Sequence, residues 1–205
     1  VNIAVFASGR GSNFSAIAEA VKKGKIKARL SLLVSDNPSA PVIAKALRAQ
    51  VKAVIIARED YSNRADFENE IIRLLKKEKI GLVVLAGFMR VLSPDFVGNF
   101  KNKIINIHPA LLPAFKGAHA IRDAFFYGAK VTGVTVHFVD EKMDHGPIIL
   151  QQALVIKASD TLKSLEEKIH KIEHLLYPEA INIFVKGKLG IKGRRVRISS
   201  RKALS

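Results

Sequence analysis

Hydrophobic positions along the chain alternate between two spacings. VNIAVF (1–6), KARLSLLVSD (27–36), VKAVII (51–56), GLVVLA (81–86) and KIINI (103–107) are short apolar runs of the kind that fill buried strands. Helical spacings lie between them. GSNFSAIAEAVKKG (11–24) reads as a helix capped by Ser12 or Asn13 and stopped near Gly24. SAPVIAKALRAQ (39–50) carries Pro41 in its first turn, where the missing N–H breaks no bond. RADFENEIIRLLKKEKI (64–80) sets Phe67, Ile71, Leu74 and Leu75 on one face. The rhythm then changes. AKVTGVTVHFV (129–139) and GPIILQQALVI (146–156) are long strand patterns joined by DEKMDHG, and 160–187 reads as a long helix interrupted at Pro178. The expected fold is α/β: a Rossmann-like, mostly parallel twisted sheet with helices on both faces and additional C-terminal strands. With no repeat and no long linker, 1–187 is expected to be a single domain, followed by a basic end over 188–205.

Ligands of such sheets bind beyond the carboxyl ends of the strands. Three stretches fall there. ASGRGSN (7–13) leaves the first strand and opens the first helix, and the free N–H groups at that helix end suit an anion, most often a phosphate. A tight turn without a ligand fits the same residues. A dinucleotide site fits less well, since the third glycine of that fingerprint is Phe14, although Asp36 ends the second strand where a ribose-binding acid would sit. LAGFMRVLSP (85–94) follows the fourth strand; Gly87 permits close backbone approach, and Phe88, Met89, Val91 and Leu92 can line an apolar slot beside Arg90. IINIHPALLP (104–113) ends the fifth strand with Asn106 and His108 at i and i+2, on one face. An amide and an imidazole side by side suit an oxyanion site, and Pro109 and Pro113 stiffen the exit. Asp144, in the loop between the late strands, is a carboxylate that would orient and charge an imidazole it reached. No serine sits in a nucleophile elbow, and His108, Asp144 and His145 lack the spacing of a metal site.

Composition narrows the classes. Zero cysteines exclude disulfides and thiolate metal sites, and no run approaches the roughly 20 apolar residues of a membrane span. The start of the chain enters a strand with no leader pattern, so a soluble cytoplasmic protein is expected. Net charge is +16, and eight basic residues with no acid lie between Lys186 and Ser205. That end reads as a solvated, partly disordered segment or as a surface for nucleic acid, membrane or an anionic substrate.

SGRGSN, LAGFMRVLSP, NIHPALLPAFKGAHA and TGVTVHFVDEKMDHGPIILQ, in this order and spacing over about residues 1–187, resemble the phosphoribosylglycinamide formyltransferase family. The resemblance implies transfer of a formyl group from 10-formyltetrahydrofolate to the amine of 5'-phosphoribosylglycinamide, a step of purine biosynthesis, with no metal. It implies a catalytic trio of Asn106, His108 and Asp144. It implies substrate phosphate on Gly11, Ser12 and Asn13, with Glu173 contacting the same ribonucleotide. Folate would meet Arg64, Met89, Arg90, Val91, Leu92, Asn106 and the loop from Asp140 to Asp144. The half up to about residue 100 is thus expected to bind phosphate and the half over 101–187 to bind folate and carry the chemistry, with a homodimer among the expected partners. The chain departs from the family at Ala110, where Ser is common after His-Pro, and the basic end from Lys192 matches nothing in it. A formyltetrahydrofolate hydrolase would carry an added N-terminal domain. A methionyl-tRNA formyltransferase would carry a further C-terminal one and lacks this phosphate cradle. A nucleic-acid-binding module would suit the charge, but the chain has no stacking-aromatic motif, zinc-finger spacing or Trp.

Overall fold

The computed structural model describes residues 1–199. Its elements, in chain order, are β1 (Asn2–Phe6), α1 (Ser12–Lys22), β2 (Arg29–Ser35), α2 (Val42–Arg48), β3 (Lys52–Ile55), α3 (Arg64–Lys77), β4 (Ile80–Leu85), α4 (Pro94–Asn99), β5 (Ile104–His108), α5 (Ala120–Tyr127), β6 (Val131–Phe138), β7 (Ile148–Val155), α6 (Leu162–Val185), β8 (Leu189–Lys192) and β9 (Arg195–Ile198). The strands form one sheet in the order β3-β2-β1-β4-β5-β6-β7-β9-β8. The first five run parallel, whereas β6 pairs antiparallel with both β5 and β7. The expected mixed α/β sheet with added late strands is what forms.

Alternating side chains of the central strands feed two cores, which is why the strands read as continuous apolar runs. Ile3, Val5, Leu82, Val84, Ile105 and Ile107 face one way and pack with Phe14 and Ile17 of α1 and Leu165, Ile169, Tyr177 and Ile181 of α6. Ala4, Phe6, Val83, Leu85 and Ile104 face the other way, against Phe67, Ile71 and Leu75 of α3 and Phe96 of α4. The polar residues Asn106 and His108 fall on this second face, at its carboxyl edge.

Several local expectations are corrected. Neither Ser12 nor Asn13 caps α1; the cap is Gly11 in the left-handed region, with no side-chain hydrogen bond. Gly11 is required twice over, since its φ is 68° and a Cβ would lie 2.3 Å from Val42 Cγ2. Gly87 lines the cleft with a φ of 78° and no protein atom within 4 Å of where a Cβ would lie. Pro178 does not interrupt α6, which runs unbroken for 24 residues. Its neighbours Tyr177, Ala180 and Ile181 are fully buried, and that packing outweighs one lost helical bond. The short helices α4 and α5 were not among the expected elements, although α5 spaces Ala120, Ile121, Ala124 and Phe125 along one face. The basic end, expected as a solvated segment, forms the hairpin β8–β9, joined to β7 at Ile148 and Arg195. Arg201 and Lys202 lie outside the described residues.

Tyr177 ties α6 to the sheet. Its hydroxyl reaches the carbonyls of Leu85, the last residue of β4, at 2.7 Å and of Ile105, within β5 next to Asn106, at 3.0 Å. Tyr177→Phe leaves those buried carbonyls without that donor and should cost about 1–3 kcal/mol. Urea unfolding checks this; an unchanged midpoint would show that the hydroxyl contributes nothing.

Candidate active site

An open cleft of about 590 Å³ lies across the carboxyl ends of β1, β4 and β5. That volume suits small-molecule ligands. The cleft sits where the strand order reverses between β1 and β4, the crevice such sheets use for ligands.

Its chemical centre is built from four strand and loop residues. Antiparallel register sets Asn106 opposite His137 and His108 opposite Thr135. Asp144 comes over from the β6–β7 loop with a left-handed backbone, φ 47°. Its Oδ2 accepts the Gly117 N–H at 2.8 Å and lies 3.4 Å from His108 Nδ1. Its Oδ1 lies 3.8 Å from His137 Nε2. His108 Nε2 donates to the Phe115 carbonyl at 2.8 Å, so Nδ1 is the ring nitrogen shared between Asp144 and the cleft. His137 Nδ1 donates to the Phe138 carbonyl at 2.7 Å, which leaves Nε2 to accept from Asn106 Nδ2 at 3.3 Å. One amide hydrogen of Asn106 is thereby directed, and the other is left for a ligand. Burial pushes the His137 imidazole below its ordinary value, with the charge of His108 acting the same way; the Phe138 carbonyl and Asp144 pull against this.

The exit loop after His108 is held by side chains rather than by prolines alone. Thr135 Oγ1 donates to the Ala110 carbonyl at 2.7 Å and accepts the Leu112 N–H at 3.1 Å. Gln151 Nε2 donates to Thr135 Oγ1 and to the Leu112 carbonyl.

The glycine-rich turn forms the opposite end of the cleft, with Gly9 to Asn13 on its wall. Asn13 Nδ2 donates to Glu173 Oε2 at 3.1 Å, and His170 Nδ1 lies 3.0 Å from the same oxygen. Glu173 therefore faces the cleft from α6, already oriented. Its hydrogen bond holds His170 above the ordinary histidine range, against burial and the nearby Arg10. Asn13 Oδ1 is buried with no partner among the described residues, a spare acceptor beside the turn. Asp36 does not face the cleft as a ribose-binding acid would. It is buried, with Oδ1 accepting from Ser8 Oγ and Oδ2 from Arg90 Nε, both at 2.5 Å.

Met89, Arg90, Val91 and Leu92 line the cleft as expected, but the Arg90 guanidinium is turned back to Asp36. Arg64, half exposed, is not part of the cleft lining. Its Nη2 donates to the Val91 carbonyl at 2.6 Å, and its Nε pairs with Glu68 at 2.9 Å. Glu68 is buried and also takes the Ser93 N–H and hydroxyl, so α3 holds the slot's backbone in shape. Asp140 lines the loop side of the cleft and pairs with His145 at 2.7 Å. His137, Glu68, Gly117 and His170 escaped the reading of the sequence. His137 sits in a strand pattern that already carries Thr132 and Thr135, where one more polar residue does not stand out, and Glu68 in an ordinary helix face.

A sequence model of the formyl transferase family matches residues 1–181. The chain belongs to the formyl transferase family. This formyltransferase is 46% identical over 191 residues to the phosphoribosylglycinamide formyltransferase of Bacillus subtilis (strain 168), covering 93% of this chain and 96% of that protein. It is 40% identical to the trifunctional purine biosynthetic protein adenosine-3 of Gallus gallus, of whose length it spans 19%. Its fold superposes on the crystal structure of glycinamide ribonucleotide transformylase 1 from Symbiobacterium toebii with a TM-score of 0.95 at 42% identity, over 98% of this chain and 94% of that one. The Geobacillus kaustophilus enzyme of the same name gives 0.88 at 47% identity, over 90% of this chain and 98% of that one. No helix of the formyltransferase among the described residues is long and apolar enough to cross a membrane.

The depressed His137 has a consequence for stability. As pH falls through about 6.5 the unfolded chain takes up a proton at this residue and the folded chain does not. Its contribution is therefore complete above that value and lost as pH falls toward the lower folded value. In His137→Asn, urea unfolding between about pH 5 and 8 should show a shallower acid slope than the parent. Equal slopes would mean that His137 titrates alike in both states.

Proposed function

We propose that the chain transfers the formyl group of 10-formyltetrahydrofolate to the amine of 5'-phosphoribosylglycinamide, through Asn106, His108 and Asp144. The observation that carries the mechanism is the convergence of these three side chains on one cleft wall, with Asp144 lying 3.4 Å from His108 Nδ1. That contact is longer than an ordinary N–H···O bond and so open to competition.

In this reading the ribonucleotide phosphate lies at the α1 N-terminus against the Gly11, Ser12 and Asn13 backbone, and Glu173 receives the sugar and glycinamide part. The folate lies along Met89 to Leu92 and the loop from Asp140 to Asp144, meeting that backbone and the exposed side chains of Met89 and Val91. Arg64 acts on the folate through the Val91 carbonyl it holds. The two expected halves thus exchange parts, since the folate slot at 89–92 belongs to the first and Glu173 to the second. The amine attacks the formyl carbon, and the carbonyl oxygen gains charge as the carbon becomes tetrahedral. The free Asn106 N–H and a proton on His108 Nδ1 meet that oxygen. Asp144 takes the proton released by the amine, directly or through water, and returns it to the departing folate nitrogen. Attack is direct, so no enzyme nucleophile takes part.

His108→Ala and Asp144→Ala should each lower kcat on the order of 100- to 1,000-fold, the scale of losing one oxyanion donor or its acid–base partner. The ribonucleotide should still bind with near-parental affinity by calorimetry. Near-normal turnover in either purified variant would sink the assignment. Formyl release from the folate with the amine omitted would point to a hydrolase instead.

A further inference from the structure

The basic hairpin is tied to the wall of the cleft through one residue. Arg194, in the β8–β9 turn, donates from Nη2 to the His145 carbonyl at 2.5 Å. Its Nη1 lies 3.1 Å from His145 Nε2 and 3.2 Å from Nδ1. The same ring sets Nδ1 2.7 Å from Asp140 Oδ2. With the ring proton on Nδ1, the imidazole donates to Asp140, while Arg194 Nη1, nearly equidistant from both ring nitrogens, packs against the ring itself. Asp140 Oδ1 in turn accepts the Lys142 N–H at 3.0 Å. A guanidinium–imidazole–carboxylate chain therefore crosses the loop from its exit to its entrance.

The backbone puts Arg194 there. β9 joins β7 at Ile148 and Arg195, two residues beyond the loop's end at Gly146. Gly146 is pressed on the Phe138 carbonyl, where a Cβ would lie at 1.8 Å, and Phe138 N–H bonds the Pro147 carbonyl at 2.9 Å. Those contacts close the base of the loop but leave its crest, Asp140 to His145, to side chains. Among the described residues, Lys192, Arg195 and Arg197 make no side-chain hydrogen bond or ion pair, so the hairpin's hold on the loop is specific to Arg194. A planar fork can serve a carbonyl and a ring together, which a lysine cannot.

We infer that Arg194 is a positioning residue for formyl transfer: acting through His145, it braces the loop that presents Asp140 and Asp144 to the cleft. The inference rests on the proposed role of Asp144 and gives the basic hairpin a part in the reaction.

The test uses the full chain with Arg194→Ala, Arg194→Lys, His145→Ala and the double variant Arg194→Ala/His145→Ala. Steady-state kinetics with each substrate varied is combined with hydrogen exchange of peptides over 139–147. Arg194→Ala should lower kcat/KM for the folate roughly three- to tenfold, the scale of one exposed charge-assisted contact, with the KM for the ribonucleotide and the melting temperature unchanged. Exchange should quicken in 139–147 alone. Arg194→Lys should fall between parent and Ala, and the double variant should lose no more than the worse single one. Parental kinetics with parental loop exchange overturns the brace, as does a loss that tracks melting temperature with exchange raised across the sheet. If the parent moves no formyl group at all, the proposed function fails, and the loop exchange of Arg194→Ala against the parent still decides the brace.

Discussion

The Asp144 carboxylate is the constraint around which the rest of the site is arranged. It is nearly buried, it sits on a backbone in the left-handed region, and it faces two imidazoles and one backbone N–H. An anion withdrawn from water needs donors, and a non-glycine residue at positive φ needs surroundings that hold it there. The loop after β5 supplies the Gly117 N–H and β5 the Nδ1 edge of His108, while the His137 ring, whose Nε2 accepts from Asn106, closes the third side without donating. Each of these is fixed in turn: His108 by the Phe115 carbonyl, His137 by the Phe138 carbonyl, and the loop after His108 by Thr135 and Gln151. The donors nearest the carboxylate are thus oriented before any substrate arrives, which is what an electrostatic site requires.

What was legible in the sequence follows the physics of each signal. A strand buried on both faces shows as an apolar run, so five parallel strands could be read, and Asn106 and His108 stood out because they break such a run. Glycine in the turn before α1 is dictated locally by φ and by Val42, so that loop was legible too. His137 was not, because its importance comes from antiparallel register, which pairs it with Asn106 across 31 residues of chain. Glu68 and Arg64 looked like a common i, i+4 helix pair; only the fold brings Ser93 and Val91 to them. The hairpin was hidden differently. Leu189, Ile191, Val196 and Ile198 do alternate around Gly193, but the density of Lys and Arg drew the reading toward a solvated end.

The two cores explain why one cleft can hold two substrates. Strand residues facing α1 and α6 lead, at the carboxyl edge, to the glycine turn, Glu173 and His170. Residues facing α3 and α4 lead to Asn106, His108 and the 89–92 segment. The cleft lies where both faces meet at the end of the sheet, so in the proposed reading each ligand would be met mainly by the elements of one layer. A sheet edge shared by both layers then sets the distance between them. Tyr177 belongs to this arrangement, since it joins α6 to the end of β4 and to Ile105 of β5, next to Asn106.

Charge completes the division of labour. The net charge of +16 favours approach of polyanions in general, but the cleft is not uniformly basic. In the proposed reading its phosphate end would rely on backbone N–H groups, with Arg10 beside them, while Glu173 and Asp144 would put carboxylates where the amine sits and loses a proton. An amine attacking a formyl carbon needs to be neutral, and an acceptor close to its nitrogen favours that form as the new bond develops. The remaining contribution in that reading is orientation: two bound substrates held in contact would react as one molecule does, with no covalent enzyme intermediate. A site of this kind gains little from more reactive side chains and much from loops that do not move. Arg64, Glu68 and Arg90 fit such a site, since each is bonded to neighbouring protein groups that hold the 89–93 segment or its surroundings.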